Sequence, residues 1–471
     1  MVPEPRRRRF VEVACVVALL AAGWAIRARV HQGWAFAGSD SYGYLKLAHE
    51  LRFDGRYALG PPPEPLAWVR PPLYPIFLAL VQPRAEMSAP WDRFFAVQIA
   101  LDLLTALCVF LLARRLAGAL AGLVALTLAV ANPFSPPFTA AMLTETLATF
   151  LATATVTAIV FGAARPRRWW PLGGALVALS TLLRPDGLML AIAFAPPLLL
   201  AGVSRREKLG WAAAGLLGFV VVFAPWPIRN LARVGAAHPI GGRIDRYSRP
   251  VENYEGYWSW LRSWSRDWIS MTTPTTCFYD VGCPAGLSDL RARGAYVDVD
   301  DEAEVQRLIA ARFRDGLTPE VSRGFARLAD ARRRAHPLLV EAWLPLSRAW
   351  SMWAAPFDEL LQSRLPWPQV MTRLRPRLRA IATVQWVAML LAGALLTARR
   401  RTRSDAGALF ATVLTRTFIL GYTFYCMPRY ALEVMPLGWV LIGAGAFELG
   451  RLAAAASSTL RARRNPVSSS G

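Results

Sequence analysis

Seven charged side chains, Asp40, Arg70, Glu145, Arg184, Asp186, Arg229 and Arg429, stand at the ends of apolar runs in this 471-residue chain. Together they hold what group transfer from a phosphate ester needs. A carboxylate such as Asp40 can take the proton from an attacking hydroxyl. Guanidinium groups bind phosphate through paired N–H donors and stabilise the charge that builds on it as it leaves. Asp40 opens the stretch GSDSYGYLKLAHEL at 38–51, whose pattern predicts a helix bearing Tyr42 and Tyr44. At the start of a helix the macrodipole favours the ionised carboxylate. Arg70 stands directly before a rigid double proline in RPPLYP at 70–75, a stretch that also carries Tyr74. Each charge alone is the kind of group that anchors a span end in water; the set points further.

The elements that must position these groups are apolar runs of roughly 16–22 residues almost free of charge, the length that crosses a bilayer. Read in order they predict an α-helical polytopic membrane protein with about ten spans, at 10–26, 93–112, 117–131, 141–163, 170–183, 188–203, 209–225, 378–398, 406–426 and 431–449. The formal charge of +22, from 54 Lys and Arg against 32 Asp and Glu, would suit nucleic acid. The arginines cluster instead at span ends, at Arg6–Arg9, Arg114–Arg115, Arg165–Arg168, Arg205–Lys208, Arg399–Arg403 and Arg461–Arg464. With the spans counted as above, all these clusters fall on one side, which is the positive-inside pattern and argues against nucleic acid. The first run lacks a convincing cleavage site and is expected to be a retained span.

Four regions follow. Residues 1–230 form a transmembrane core with a first outer loop at 27–91, in which 71–82 is expected to lie along the membrane. Residues 231–377 are too polar for the membrane and form a large outer segment, 378–454 hold the last spans, and 455–471 are expected to be a disordered inner tail. Within the outer segment, 300–335 reads as soluble helix with Ile309, Ala310, Phe313 and Leu317 on one face. Trp260, Trp264 and Trp268 recur at a spacing that makes one helical stripe, which suits anchoring at the headgroup level or, less simply, stacking on a sugar. Cys277 and Cys283 lack further ligands at zinc spacing and suit a small disulfide loop; Cys15, Cys108 and Cys426 lie in or beside spans. Asp102 and Arg416 sit at similar depth in two spans, and because lone charges there are costly they are expected to face each other or a polar cavity. Arg429 and Glu433, four residues apart, are expected to pair at a helix end.

The inner loops are too short to hold a nucleotide-binding domain, and neither a P-loop nor a Rossmann fingerprint occurs. Chemistry is therefore expected on the outer face, with an activated substrate available there, which a lipid-phosphate-linked one would be. The ordered set of motifs resembles the GT-C class of polyprenyl-phosphate-sugar-dependent glycosyltransferases, close to protein O-mannosyltransferases and lipid A aminoarabinose transferases. The residues that carry the resemblance are Asp40 with Tyr42 to Leu45 and Ala48, RPPLYP at 70–75, LTETL at 143–147, LLRPDG at 182–187, PWPIRN at 225–230 and RYALEVMP at 429–436.

The resemblance implies an inverting hexosyl- or pentosyltransferase in the cytoplasmic membrane, with its site on the periplasmic face. The donor would be a polyprenyl-phosphate-linked sugar and the acceptor a lipid, glycan or protein. Asp40 would be the base, and Arg70 would contact the donor phosphate. Glu145 would take the family's polar or metal-binding position, with His238 as a partner if a divalent cation is bound. Arg229 and Arg429 would lie near the lipid phosphate, and Tyr42, Tyr44, Tyr74, Arg184 and Tyr430 would complete the substrate-binding set. One departure stands out: Ser41 occupies the position where many members carry a second carboxylate. The alternative is a transporter or flippase for a lipid-linked saccharide, which would also want outer arginines and an intramembrane Asp102, although the chain shows no internal repeat and concentrates its polar groups at one end of its spans, whereas transporters usually bind near the midplane between repeats.

Overall fold

The computed structural model describes residues 4–31, 39–58, 70–82, 91–234, 252–271, 274, 290–354, 366–423 and 426–464. Among these residues no β-strand forms, and the chain is a helical bundle. Each of the stretches expected to cross the membrane is helical over most of its described residues. Six helices are both long and apolar enough to span: Arg7–Val30, Asp92–Ala117, Glu145–Gly162, Arg205–Arg233, Arg373–Ala398 and Met435–Ser458, with shorter apolar helices at Ala119–Ala131 and Pro185–Leu200. Their outward side chains include Leu199, Leu209, Leu217, Val221, Val384 and Leu391, all exposed. So much exposed apolar surface suits lipid rather than water, and the protein is a multi-pass membrane protein.

The bundle is built around α4 (Asp92–Ala117), which packs on α5 (Ala119–Ala131), α7 (Glu145–Gly162) and the last helix, α19 (Met435–Arg464). The helix α1 (Glu4–His31) leans on α4 and α5. On the other side α8 (Pro166–Leu183) lies between α7 and α10 (Arg205–Phe223). A ten-residue 3-10 stretch, Pro185–Phe194, turns the chain back after α8 and packs on α17 (Arg403–Tyr422). The Ala-rich end of α19 stays helical to Arg464, ten residues into the stretch expected to be a tail; alanine is the strongest helix former.

Glycine sets the α8–α10 contact. A Cβ on Gly218 would lie 1.9 Å from the Pro171 carbonyl oxygen, and one on Gly174 would lie 1.8 Å from that of Gly215. The two backbones touch, and neither carbonyl has a flexible end that can give way. Gly218→Ala is therefore expected to force the helices apart and cost about 1–3 kcal/mol. A lowered melting midpoint in detergent checks this, with Gly450→Ala, where a Cβ meets nothing within 4 Å, as the silent control.

The outer segment holds a small helical unit. Its helices α12 (Glu252–Arg262), α13 (Val299–Asp315) and α14 (Pro319–Ala335) bury a core of Tyr257, Trp260, Trp264, Trp268, Leu308, Ile309, Val321 and Phe325. The tryptophan stripe is thus neither an interfacial anchor nor a sugar platform. Helix α12 ends at Arg262, so Trp264 and Trp268 reach the core from the turn and the short helix that follow. Of the expected apolar face, Ile309 and Leu317 are buried, Phe313 partly, and Ala310 is exposed. Cys277, Cys283 and His238 lie outside the described residues. Arg348, on α15 (Leu344–Ala354), ties this unit to the bundle: its Nε donates to the Gly421 carbonyl at 2.7 Å, and its Nη1 to those of Ser265 and Arg262 at 2.9 and 3.0 Å. Burial lowers the pKa of this guanidinium to about 10, so it stays charged while holding carbonyls from α12, the turn after it and the end of α17.

Candidate active site

Helix α2 (Ser39–Phe53) presents Asp40 in its first turn, where the dipole favours an anion. The next residue, Ser41, is buried and donates to the Met142 carbonyl at 2.8 Å, which fixes α2 against the turn that leads into α7. This explains the departure noted above: a second carboxylate, ionised, could not donate to that carbonyl. Arg70 reaches Asp40 across α2, its Nη2 donating to Oδ1 at 2.9 Å. Two aromatic rings and a glycine hold it there. Its guanidinium lies 4.6 Å from the Tyr44 ring centre, Tyr44 packs edge-on against Tyr74 at 4.9 Å, and a Cβ on Gly43 would come within 3.3 Å of Nε. Tyr57 fixes the backbone, its hydroxyl donating to the carbonyl of Arg70 at 2.9 Å.

From Asp40 a continuous chain of ion pairs runs into the bundle. Arg429, on the short helix α18 (Arg429–Leu432), lies 3.6 Å from Asp40 Oδ2 and 3.2 Å from Glu145 Oε1 at the start of α7. Arg184, at the end of α8, meets Glu145 at 3.5 Å, donates to Thr144 Oγ1 at 3.1 Å, and lies 3.3 Å from both Asp186 and Glu433. Arg416, on α17, closes the chain with 2.6 Å contacts to Asp186 and Glu433. The four guanidiniums (70, 184, 416, 429) match the four carboxylates (40, 145, 186, 433). Tyr430 caps the middle, with Arg184 4.2 Å and Arg429 5.6 Å from its ring centre.

Accessibility changes steeply along this chain. The side chains of Asp40 and Arg70 are 39% and 30% exposed, whereas those of Arg416 and Glu433 are 2% and 5% exposed. The Asp40 end is thus the one open to a ligand, and the Arg416 end is closed inside the bundle. Burial pushes the Asp40 carboxyl up, but the charge and hydrogen bond of Arg70, then Arg429 and Arg184, outweigh it. The net position is below the ordinary carboxylate value, so Asp40 is ionised at neutral pH.

Two expected pairings are corrected. Arg416 does not face Asp102; Asp102 is bonded to Arg27 of α1, which also donates to the carbonyls of Gly23 and Val130 at 3.2 Å. Helix α1 packs on α4 and α5 and delivers its own arginine, whereas α17 meets the bundle at the 3-10 stretch and α19. Nor does Arg429 pair with Glu433 along its own segment: each turns to a partner on another element. Arg416 and Glu433 are the members of the chain that the site-residue reading missed, together with Asp186, seen only as a span-end charge. Their signal was in the sequence, since two opposite charges in apolar runs demand partners, but depth alone did not say which.

Of the other candidates, Tyr42 is 58% exposed and stands apart from this chain. Arg229, on α11 (Pro225–Val234), lines a neighbouring groove of about 550 Å³ with Ile76, Leu182, Val222, Trp226 and the ring of Tyr57. Its guanidinium lies 5.0 Å from the Trp226 ring centre and 5.6 Å from that of Tyr57, and Arg56 and Arg233 line the same groove. Tyr57 thus joins the two regions, its ring in the groove and its hydroxyl on the Arg70 carbonyl. Two buried polar atoms next to the ionic chain, Glu145 Oε2 and the Tyr74 hydroxyl, have no hydrogen-bond partner among the described residues. His238, the partner expected for a divalent cation at Glu145, lies outside the described residues. The Oε1 of Glu145 is taken by two guanidiniums, and among the described residues no three His, Cys, Asp or Glu side chains gather to hold a metal.

Residues 69–228 match the family model described as dolichyl-phosphate-mannose-protein mannosyltransferase. The match takes in RPPLYP, LTETL, LLRPDG and the start of PWPIRN, and over those residues it bears out the resemblance read from the motifs. No protein of curated function matches the sequence. Among solved structures, the Archaeoglobus fulgidus oligosaccharyltransferase in complex with Zn and sulfate is 13% identical, with a TM-score of 0.49 over 94% of this chain and 51% of that one. ArnT from Cupriavidus metallidurans bound to undecaprenyl phosphate is 14% identical, with a TM-score of 0.41 over 94% of this chain and 79% of that one. Archaeal AglB from Archaeoglobus fulgidus in complex with an inhibitory peptide and a dolichol-phosphate is 14% identical, with a TM-score of 0.47 over 98% and 53%. The chain spans about half the length of the archaeal oligosaccharyltransferase.

Proposed function

We propose that this chain is an integral-membrane glycosyltransferase that moves a sugar from a polyprenyl-phosphate-linked donor to a hydroxyl-bearing acceptor at the outer face of the membrane. One observation carries the reading: an accessible, ionised Asp40 held between Arg70 and Arg429, at the open end of a buried ionic chain. The adjoining groove, apolar along Ile76, Leu182 and Val222 and cationic at Arg56, Arg229 and Arg233, suits a prenyl chain carrying a phosphate.

The chemistry follows from that placement. The acceptor hydroxyl attacks the anomeric carbon and its proton passes to Asp40. As the new glycosidic bond forms, the bond from the anomeric carbon to the phosphate oxygen breaks, and the lipid phosphate leaves with the bonding electrons. Arg70 and Arg429 hold the charge that gathers on it. Attack from the face opposite the leaving phosphate inverts the anomeric centre. Asp40 is a weak base while both guanidiniums hold it. A phosphate drawing Arg70 and Arg429 toward itself loosens that hold and makes the carboxylate a better proton acceptor when the donor is in place. Residues 231–377 are the natural place for acceptor choice.

The test is turnover by the purified chain in proteoliposomes containing a polyprenyl-phosphate hexose labelled in the sugar. Release of unglycosylated polyprenyl phosphate together with a new labelled product is the expected result. Movement of intact donor between leaflets without loss of the sugar would replace the enzyme by a flippase.

A further inference from the structure

The segment expected to lie wholly outside the membrane contains one helix whose polarity is reversed for water. After the basic end of α14, a π-helical turn at Leu339–Trp343 leads into α15. Leu339, Ala342, Trp343, Leu346 and Trp350 recur three or four residues apart, so they share one face, and all are exposed. The one charged residue of α15, Arg348, points the other way and is buried. A helix that met water would show the opposite, with polar side chains outward and apolar ones toward the core. An exposed face that is apolar throughout, with the charge turned inward, is the arrangement of a helix in hydrocarbon.

Packing sets the depth of this helix. Trp353, at its end, stacks on Trp386 with ring centres 4.5 Å apart, and its Nε1 donates to Thr417 Oγ1 at 2.9 Å. Trp386 is midway along the span Arg373–Ala398, so the end of α15 stands inside the apolar layer. Nearer the start of α15, a Cβ on Gly421 of α17 would lie 2.8 Å from the Pro345 carbonyl oxygen and 3.0 Å from the Ala349 Cβ. From Pro345 to Trp353 the helix makes about two turns, while its partner on α17 shifts by about one, from Gly421 to Thr417. It therefore descends obliquely from the end of α17 toward its middle. On the outward side its stripe continues into that of α17, where Leu414, Phe418 and Tyr422 are exposed at four-residue spacing. Tyr422 joins the two by donating to Glu341.

We infer that residues 339–354 form a half-inserted membrane helix, its stripe of Leu339, Trp343, Leu346 and Trp350 covered by acyl chains of the leaflet on the Asp40 side. The continuity with the exposed face of α17 and the depth of Trp353 both name lipid as the occupant, and tryptophan suits the boundary between headgroups and hydrocarbon. This helix also seats its neighbours. Arg348 holds the carbonyls of Arg262 and Ser265 in the outer helical unit, and α15 packs on α18, which carries Arg429. The bilayer thus fixes the height of the outer unit beside the site. The seating requires neither the transfer chemistry nor the sidedness proposed above.

The test is photolabelling of the full-length protein in nanodiscs whose phosphatidylcholine carries a diazirine on the acyl chain. After illumination and digestion, mass spectrometry is expected to find label on residues 339–350, at a yield within a few-fold of that on the exposed face of α10 at Leu217 and Val221. A single charge gives a second reading. Leu346 is 56% exposed, so Leu346→Glu removes few contacts within the protein. In hydrocarbon the new carboxylate is costly and should lower the melting midpoint in nanodiscs by several degrees; in water it would be silent. Ala310→Glu, at an exposed position on α13, is the control that should leave the midpoint unchanged. Label on α10 with none on 339–350, or a Leu346→Glu protein that melts with its parent, overturns the assignment. So does a stripe that takes no lipid label and crosslinks to a second copy, which would make it a protein interface.

Discussion

Asp40→Asn is expected to cut the turnover of sugar transfer by about a thousandfold, within the range of a lost general base, while the donor lipid still binds. Asparagine keeps the shape and can still accept hydrogen bonds from Arg70, but it cannot take a proton. It also removes one of the two negative charges between which Arg429 is held, so more of that guanidinium is available to the phosphate. KM for the donor should therefore stay level or fall while kcat collapses, the split expected when an interaction made only in the transition state is lost. The pH profile gives an independent reading. The carboxyl lies below its ordinary value in the folded protein, so the base is ionised at neutral pH, and activity is lost only as pH falls through that lowered pKa. In Arg70→Met the largest influence, burial, meets less opposition, and the acid limb should move up by about 1–3 pH units, the effect of removing a close opposite charge. Transfer by Asp40→Asn within a few-fold of the parent protein would remove Asp40 from the base role.

Much of this site was legible because its members come from motifs at the ends of apolar runs. Asp40, Arg70, Glu145, Arg184 and Arg429 were each visible as a charge in a place where charge is conspicuous, and they do meet. What could not be read was the partner of each. Pairing between helices depends on which faces they turn to one another, and charge spacing along one helix carries no such information. Arg429 and Glu433 show this: their separation fits a pair on one helix, yet the chain breaks helicity between α18 and α19 and sends them to different neighbours. The tryptophans of the outer segment show the same limit. Their spacing fits one face of one helix, but a turn after Arg262 folds that face into a core with α13 and α14. Arg229 faces the neighbouring groove, whereas Arg429 joins the ionic chain, a division that their similar places at span ends did not show.

Arg416→Met carries the largest expected effect on stability, about 3–5 kcal/mol, the cost of leaving a buried charge without its partner. Arg416 is 2% exposed, and its Nη2 serves both Asp186 and Glu433, so its loss leaves two carboxylates sharing Arg184 alone. A double substitution separates this account from one based on depth in the membrane. Adding Glu433→Gln to Arg416→Met removes one of the stranded negative charges and should restore part of the folded protein, measured by denaturant titration in detergent. Adding Asp102→Asn should restore nothing: Asp102 is held by Arg27, and the two sites share no partner, so their costs should add to within about 0.5 kcal/mol. If instead Asp102→Asn rescues Arg416→Met and Glu433→Gln does not, the two charges face each other in the membrane and the ionic chain ends at Arg184. In that case Arg184 would be the last guanidinium behind Asp40, and its neutralisation rather than that of Arg416 would release the foundation of the site.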